Sequence, residues 1–179
     1  MIDVKVTAKA NAKVVLQKLP AAAQKAVKRA QSDTMKRIRT ELVRRTTERY
    51  HVKAARIRKA MQASTTQLRI SGERTSLGDY KISPSKPTKK PRQVSAAVKK
   101  EGGLKPLSSR AFLMRSGNKT LVMERIGAAR LPIRRLYSLA VPQAVGAHAV
   151  IEDLAEFAED VFTKRFDYWS MQNIGAIKA

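Results

Sequence analysis

Two long stretches of the chain place apolar or small residues every three or four positions, which is the spacing of one helix face. The first predicts a helix over residues 20–50, opened by Pro20 in the first turn, where no backbone donor is needed. The second predicts a helix over residues 144–169, and a shorter helix is predicted over 55–61. The positions that define the two long helices are Ala23, Val27, Ala30, Thr34, Ile38 and Leu42, then Val150, Leu154, Phe157, Val161 and Phe162.

Other segments alternate apolar and polar residues, which is the period of a half-buried strand. Ile2, Val4 and Val6 predict an N-terminal strand. Residues 111–114 and 120–126 flank a turn of about four residues with Gly and Asn, typical of an antiparallel hairpin. Extended segments are also predicted at 68–72, 77–82 and 94–98. Residues 68–126 are therefore predicted to form one small antiparallel sheet of three to four strands.

These elements predict an α+β fold, in which a long N-terminal helix precedes the sheet and a C-terminal helix packs on that sheet. With 179 residues and 43% hydrophobic content, the chain can bury one core, so we expect a single domain. Residues 1–66 hold the N-terminal strand and basic helices, 67–127 the sheet, 128–143 a connector and 144–179 the C-terminal helix and tail. Within the sheet region, residues 83–93 form a basic extended loop, because prolines and cations leave too few apolar residues for a core.

The connector is bounded by Pro132 and Pro142, and each proline removes a backbone donor and fixes φ. The segment can therefore be neither one uninterrupted helix nor a central strand. One interpretation is a plain loop that crosses from the sheet to the last helix. The other is a contact with a second subunit, because a monomer has no obvious reason to concentrate Arg130, Arg134 and Arg135 there.

The chain is strongly basic, and this charge bears on the kind of partner that it binds. The formal net charge is +23, which implies a polyanionic or acidic partner. Residues 1–110 carry 28 Lys and Arg against 7 Asp and Glu, whereas residues 111–179 carry 9 against 7. Contact with DNA or with an acidic partner is expected in the basic loop and on the first helix, and a solvated basic face is the alternative. The residues concerned are Lys86, Lys89, Lys90 and Arg92, then Lys36, Arg37 and Arg44.

Acidic residues cluster in the first half of the last helix, at Glu152, Asp153, Glu156, Glu159 and Asp160. Anions are favourable there because of the helix dipole. This acidic group can meet the basic first helix either in the same chain or in a neighbouring subunit. The second arrangement alone would build a ring, and the sequence leaves both open.

Motifs for catalysis and metal binding are missing from the sequence. There is no cysteine, no Gly-rich phosphate loop and no HExxH pair, and His51 and His148 lie far apart without ligand spacing. We therefore predict a protein without enzymatic activity, cofactor or metal. No apolar run is long enough for a membrane span and the N-terminus does not read as a signal peptide, so a soluble protein is expected.

The order of residues from Ala111 onward resembles the minor tail protein Z family of phages and prophages, which is related to other tail-completion proteins. The likeness extends more weakly to residues 19–21, 26–30 and Leu77. One departure is Ser138-Leu139-Ala140, where the family usually has a Gly-Pro-Ser turn. The matching pattern is Ala111-Phe112, Met114, Ser116-Gly117, residues 120–125, Gly127, Arg130-Leu131-Pro132-Ile133, Leu136-Tyr137 and Val141-Pro142-Gln143.

The resemblance implies a structural virion protein at the head-proximal end of the tail, in the neck region, with the host cytoplasm as its place before assembly. By analogy with sixfold tails we expect a homohexameric ring that prepares the tail for head joining and lines or abuts the DNA channel. Tail terminator or tail tube proteins, head-tail connector proteins and phage DNA, held through phosphates, are the expected partners. A basic nucleic-acid-binding module is the alternative. The expected subunit or tube contacts are Phe112, Leu131, Pro132, Ile133, Leu136, Tyr137, Val141 and Pro142.

Overall fold

The computed structural model describes residues 4–7, 20–65, 67–88 and 93–175, with the backbone alone for 4–7 and 173–175. Its helices are α1 Ala21–Arg49, α2 Ala54–Ala60, α3 Val141–Val145 and α4 His148–Gly175, with a 3-10 turn at Leu77–Asp79. Its strands are β1 Val4–Thr7, β2 Met61–Ala63, β3 Gln67–Ile70, β4 Arg74–Ser76, β5 Lys81–Ser83, β6 Ser95–Ala97, β7 Lys105–Pro106, β8 Ala111–Ser116, β9 Lys119–Arg125, β10 Ile133–Arg135 and β11 Tyr137–Ala140. The α+β class, the long N-terminal helix and the C-terminal helix are confirmed.

Helix α1 begins directly after Pro20 and ends where Tyr50 becomes extended, with its N–H donating to the Thr46 carbonyl at 2.9 Å. The predicted bounds of α1 and α2 are correct to within one residue at each end. The predicted bounds of the last helix are less accurate. A separate short helix, α3, ends at Val145, and α4 begins only at His148 and continues to Gly175. Pro142 occupies the first turn of α3, where its missing donor is harmless.

Helix α4 packs mainly along α1 rather than on a sheet, which corrects the predicted packing. The two helices are antiparallel. Near the start of α4, Asp153 contacts Arg45 and Arg49 at the end of α1, and near its end Trp169 contacts Asp33 in the first half of α1. Only the first turns of α4, with Val150 and Leu154, join the core that the strands share.

The strands form four small antiparallel sheets instead of one, with the orders β1-β3-β2, β10-β9-β8, β5-β6-β7 and β11-β4. Most of the described strands have two to four residues, and none of the four sheets among the described residues has more than three strands. The predicted extended segment 77–82 is wrong in its first half, where the 3-10 turn Leu77–Asp79 lies against β9. A Cβ at Gly78 would collide with the Thr120 carbonyl oxygen, so this close approach requires glycine.

The hairpin of β8 and β9 is confirmed, although its turn has two residues, with Gly117 at φ 56°. The connector is not a plain loop. It contributes β10 to the edge of one sheet and β11 to another, and it contains the cis peptide Leu131-Pro132. The core lies where these sheets meet the end of α1 and the start of α4. Its most deeply buried members include Leu42, Ile57, Leu68, Ile70, Val122, Val145 and Val150.

Candidate contact surfaces

The basic residues in the last third of α1 are neutralised within the chain. Glu41 accepts hydrogen bonds from Arg44 and from Arg45, the latter at 2.7 Å, and Arg44 also reaches Glu48. Arg45 further contacts Asp153 at 3.0 Å across the helix pair. The predicted contact residue Arg44 is therefore engaged by two carboxylates of its own helix.

These contacts hold the pKa of the Glu41 carboxyl at about 2. Hydrogen bonds from Arg44 are the largest cause, and those from Arg45 add to it, whereas burial of the carboxyl acts in the opposite direction. Glu41 is thus ionised throughout the physiological range and remains committed to these two arginines.

A second group of cations lies where α1 meets α2. Lys36, Arg39 and Arg58 line a groove of about 220 Å³, and buried Met61 and Val43 contribute its apolar lining beside Thr40. Lys36 is 71% exposed and contacts Asp33 at 3.4 Å. Arg39 and Arg58 form no ion pair with any described residue. We call this cavity the α1–α2 groove, and the predicted contact residue Lys36 is one of the cations that line it.

The sequence did not single out Arg58 as a contact residue. Arg58 lies on α2, and its approach to Lys36 depends on how α2 packs against α1. Helical spacing alone places Lys36 and Arg39 on one face, three positions apart. The predicted contact residue Arg37 is exposed but does not line the groove.

A larger groove, of about 590 Å³, lies between the basic loop and the β8–β9 hairpin. Pro84 and Pro87 line one side and Phe112 the other, with the Arg125 guanidinium 5.0 Å from the Phe112 ring centre. The predicted contact residue Lys86 is exposed. Lys89, Lys90 and Arg92 lie outside the described residues.

The predicted subunit-contact residues divide into three sets, which are exposed, half-buried and buried. Leu131 is 66% exposed, Tyr137 is 52% exposed and Pro132 is also exposed, beside Ile126 at 55%. Phe112, Ile133 and Leu136 are half-buried. Val141 and Pro142 are buried in the core of the chain itself, because α3 carries them inward, and they leave the set of residues available to a partner. Ile126, Leu131 and Pro132 lie together, because the Ile126 N–H donates to the Pro132 carbonyl at 3.1 Å, and we call these three exposed residues the apolar tip.

Two of the three connector arginines are used within the chain. Arg134 donates two hydrogen bonds to Glu124 on the adjacent strand, one of them at 2.6 Å. Arg135 donates to the Ser76 hydroxyl at 3.1 Å and its guanidinium lies 5.3 Å from the Tyr137 ring centre. A monomer therefore does have a use for this charge, contrary to the expectation from sequence.

Some of the acidic residues of α4 form ion pairs within the chain, and others form none with any described residue. Asp153 pairs with Arg45 and Arg49, so the same-chain arrangement is realised for this residue. Glu152 contacts His148 at 3.0 Å, and Asp160 contacts Lys164 at 2.8 Å. The exposed residues Glu156 and Glu159 have no ion pair within the described part of the chain.

Histidines and acids do not assemble a metal site in the part of the chain that the structure describes. His51 is half-buried, and burial together with Lys81 and Lys100 lowers its pKa. Among the described residues, no helix combines the length and apolar character that crossing a bilayer requires.

Comparison with known proteins adds no relative: no family model, no curated protein and no solved structure matches this chain.

Proposed function

We propose that this chain is a structural tail-completion protein of a phage or prophage, which forms a ring at the head-proximal end of the tail. The observation that carries the proposal is the residue pattern from Ala111 to Gln143, which resembles the minor tail protein Z family. Its role is to prepare the tail for joining to the head, and its ring lines or abuts the DNA channel. This role needs no catalytic group, cofactor or metal.

The apolar tip supports a subunit contact within that pattern. Leu131 and Ile126 expose more than half of their surface, so burying the exposed part against a partner gains roughly 1–2 kcal/mol each, about half to two thirds of the value for a fully exposed side chain. A ring built from one repeated contact must use two different surfaces on each subunit. The apolar tip is one of these surfaces, and the surface of the neighbouring subunit that receives it must also be apolar, because an unpaired buried carboxylate would be costly.

The cations that remain unpaired support the position beside DNA. Arg44, Arg45 and Arg134 have carboxylate partners within the chain, whereas Arg39 and Arg58 have none among the described residues. The expected neighbours are tail terminator or tail tube proteins on one side and head-tail connector proteins on the other.

Replacing Leu131 and Ile133 together with Asp tests the proposal. Two carboxylates in a contact that must become apolar should prevent ring formation and binding to tails, while the fold remains because Leu131 is exposed and Ile133 lies on an edge strand. The measurement is negative-stain electron microscopy of the purified protein, together with co-sedimentation on tails from the phage or prophage that encodes the chain.

The matched control replaces Leu104 and Met171 with Asp, because both are exposed apolar residues away from the connector. The control should still form rings and sediment with tails. Rings and tail binding that survive in the Leu131 and Ile133 variant would contradict the proposed contact.

A basic nucleic-acid-binding module is the second candidate, and the unpaired cations of the α1–α2 groove favour it. The two candidates differ in assembly. A protein that stays monomeric and binds duplex DNA tightly with a steep salt dependence fits the module, whereas a ring bound to tails fits the structural protein.

A further inference from the structure

The geometry points to the α1–α2 groove as the site that binds the phosphodiester backbone of duplex DNA. Lys36, Arg39 and Arg58 are the residues that hold the phosphates. The inference rests on the DNA contact contained in the proposed function, but it does not require the ring. It replaces Arg44, which the sequence favoured, with Arg39 and Arg58.

The charge balance of the groove is the first argument. The described residues that line it include three cations and no carboxylate. The nearest acidic residues on α1 are already engaged, because Asp33 accepts from Trp169 at 3.1 Å as well as from Lys36, and Glu41 accepts from Arg44 and Arg45. Arg39 and Arg58 have no carboxylate partner among the described residues, so they repel each other and Lys36, and a bound phosphate removes that repulsion.

The chemistry of the side chains is the second argument. The guanidinium groups of Arg39 and Arg58 can each present paired N–H donors to phosphate oxygens, and the Lys36 ammonium adds a mobile point charge. Thr40 supplies a hydroxyl at the same groove, although this hydroxyl now donates to the Lys36 carbonyl at 3.3 Å. The described lining contains no aromatic ring on which an unpaired base could stack, which favours a duplex over a single strand.

The extent of the basic surface is the third argument. Lys25 and Lys28 continue along α1 from Lys36, and both are exposed without an ion pair among the described residues. The span from Lys25 to Arg39 covers roughly 20 Å of helix at 1.5 Å per residue. Duplex DNA carries about a dozen phosphates over that length, so one helix can follow the backbone over several phosphates.

A triple variant with Lys36→Gln, Arg39→Gln and Arg58→Gln tests the site. We expect at least roughly tenfold weaker binding of a labelled duplex of about 24 base pairs, because three phosphate contacts are lost. Binding is measured by fluorescence anisotropy in about 150 mM NaCl, a salt concentration close to the physiological one. The slope of log affinity against log salt should fall by about 2 to 3, because three phosphate contacts are lost. Circular dichroism verifies the fold of the variant.

The matched control carries Lys99→Gln, Lys100→Gln and Lys119→Gln, which removes the same charge from exposed positions outside the groove. This control should lose less than about threefold in affinity. Equal losses in both variants would overturn the site, because binding would then follow net charge alone. If the groove variant does not fold, charge reversal of Arg58 alone replaces it, and unchanged affinity in Arg58→Glu overturns the inference.

Two further results would also overturn it. One is tighter binding of single-stranded RNA with the same number of phosphates. The other is a groove variant that binds DNA normally but loses self-association at low salt, since the groove would then receive an acidic face of a second copy. A monomer that binds DNA through the groove leaves the inference intact while the ring fails, and a ring whose groove variant still binds DNA normally does the opposite.

Discussion

Glu41 lies between Arg44 and Arg45 on α1 and accepts hydrogen bonds from both. Its side chain is only 13% exposed, so its charge is screened less than that of a surface carboxylate. Together with Glu48 and Asp153, this residue occupies the arginines in the last third of α1. Arg39 and Arg58, which line the α1–α2 groove, have no carboxylate partner among the described residues.

Replacing Glu41 with Gln should lower the free energy of unfolding at pH 7 by roughly 1 kcal/mol, the value of a partly exposed ion pair. Because the pKa of Glu41 is depressed to about 2, its contribution is present above the ordinary carboxyl pKa of about 4.3 and is lost as the pH falls towards 2. Urea unfolding between pH 7 and pH 2 measures this. The difference from the unmodified protein should shrink over that window.

The control for this prediction is Glu48→Gln, because Glu48 is 54% exposed and contacts Arg44 alone. Its effect should be smaller at every pH. A Glu41→Gln protein whose stability differs from that of the unmodified protein by the same amount at pH 7 and at pH 2 would contradict the assignment.

At the level of elements, the antiparallel pair of α1 and α4 is fastened at both ends by polar contacts. Asp153 meets Arg45 and Arg49 near the core, and at the far end the Trp169 indole donates to Asp33 while the Arg29 guanidinium lies 4.8 Å from the Trp169 ring. Burial of Asp33 would raise its pKa, but hydrogen bonds from Trp169 and Lys36 outweigh it and lower the pKa.

Replacing Trp169 with Phe should weaken the far end of the helix pair, because the indole N–H that donates to the charged Asp33 is lost while one aromatic ring remains. We expect a loss of roughly 1.5–3 kcal/mol in unfolding free energy. Hydrogen exchange should become faster in the first turns of α1 and the last turns of α4. Tyr168→Phe is the control, because the hydroxyl of this 48% exposed residue makes no hydrogen bond within the described residues. Unchanged hydrogen exchange in the Trp169 variant would contradict the stabilising role of the Trp169–Asp33 contact.

The helices could be predicted from sequence because their 3.6-residue period is local, as α1 shows from Pro20 to Arg49. The partition of strands could not be predicted, because β4 pairs with β11 more than 60 positions away and no local pattern records that choice. The same limit applies to the groove. Lys36 and Arg39 share a helix, but Arg58 joins them only through packing between helices.

At the level of the whole molecule, some arginines have carboxylate partners within the chain and others have none among the described residues. Arg45, Arg49 and Arg134 stabilise the fold through Asp153 and Glu124, whereas the α1–α2 groove stays open to an anion. Leu131 and Pro132 of the apolar tip lie on the connector, whose two short edge strands belong to two different sheets. We propose that these two surfaces serve DNA and a neighbouring subunit respectively.

The proposed ring is tested most directly by the mass of the purified protein, measured by size-exclusion chromatography with light scattering at physiological salt. The proposed ring predicts a closed species of six times the 19.9 kDa chain mass, and the Leu131→Asp, Ile133→Asp protein should return to a single chain mass. A mass of 19.9 kDa for the unmodified protein at concentrations where tails assemble would contradict the ring.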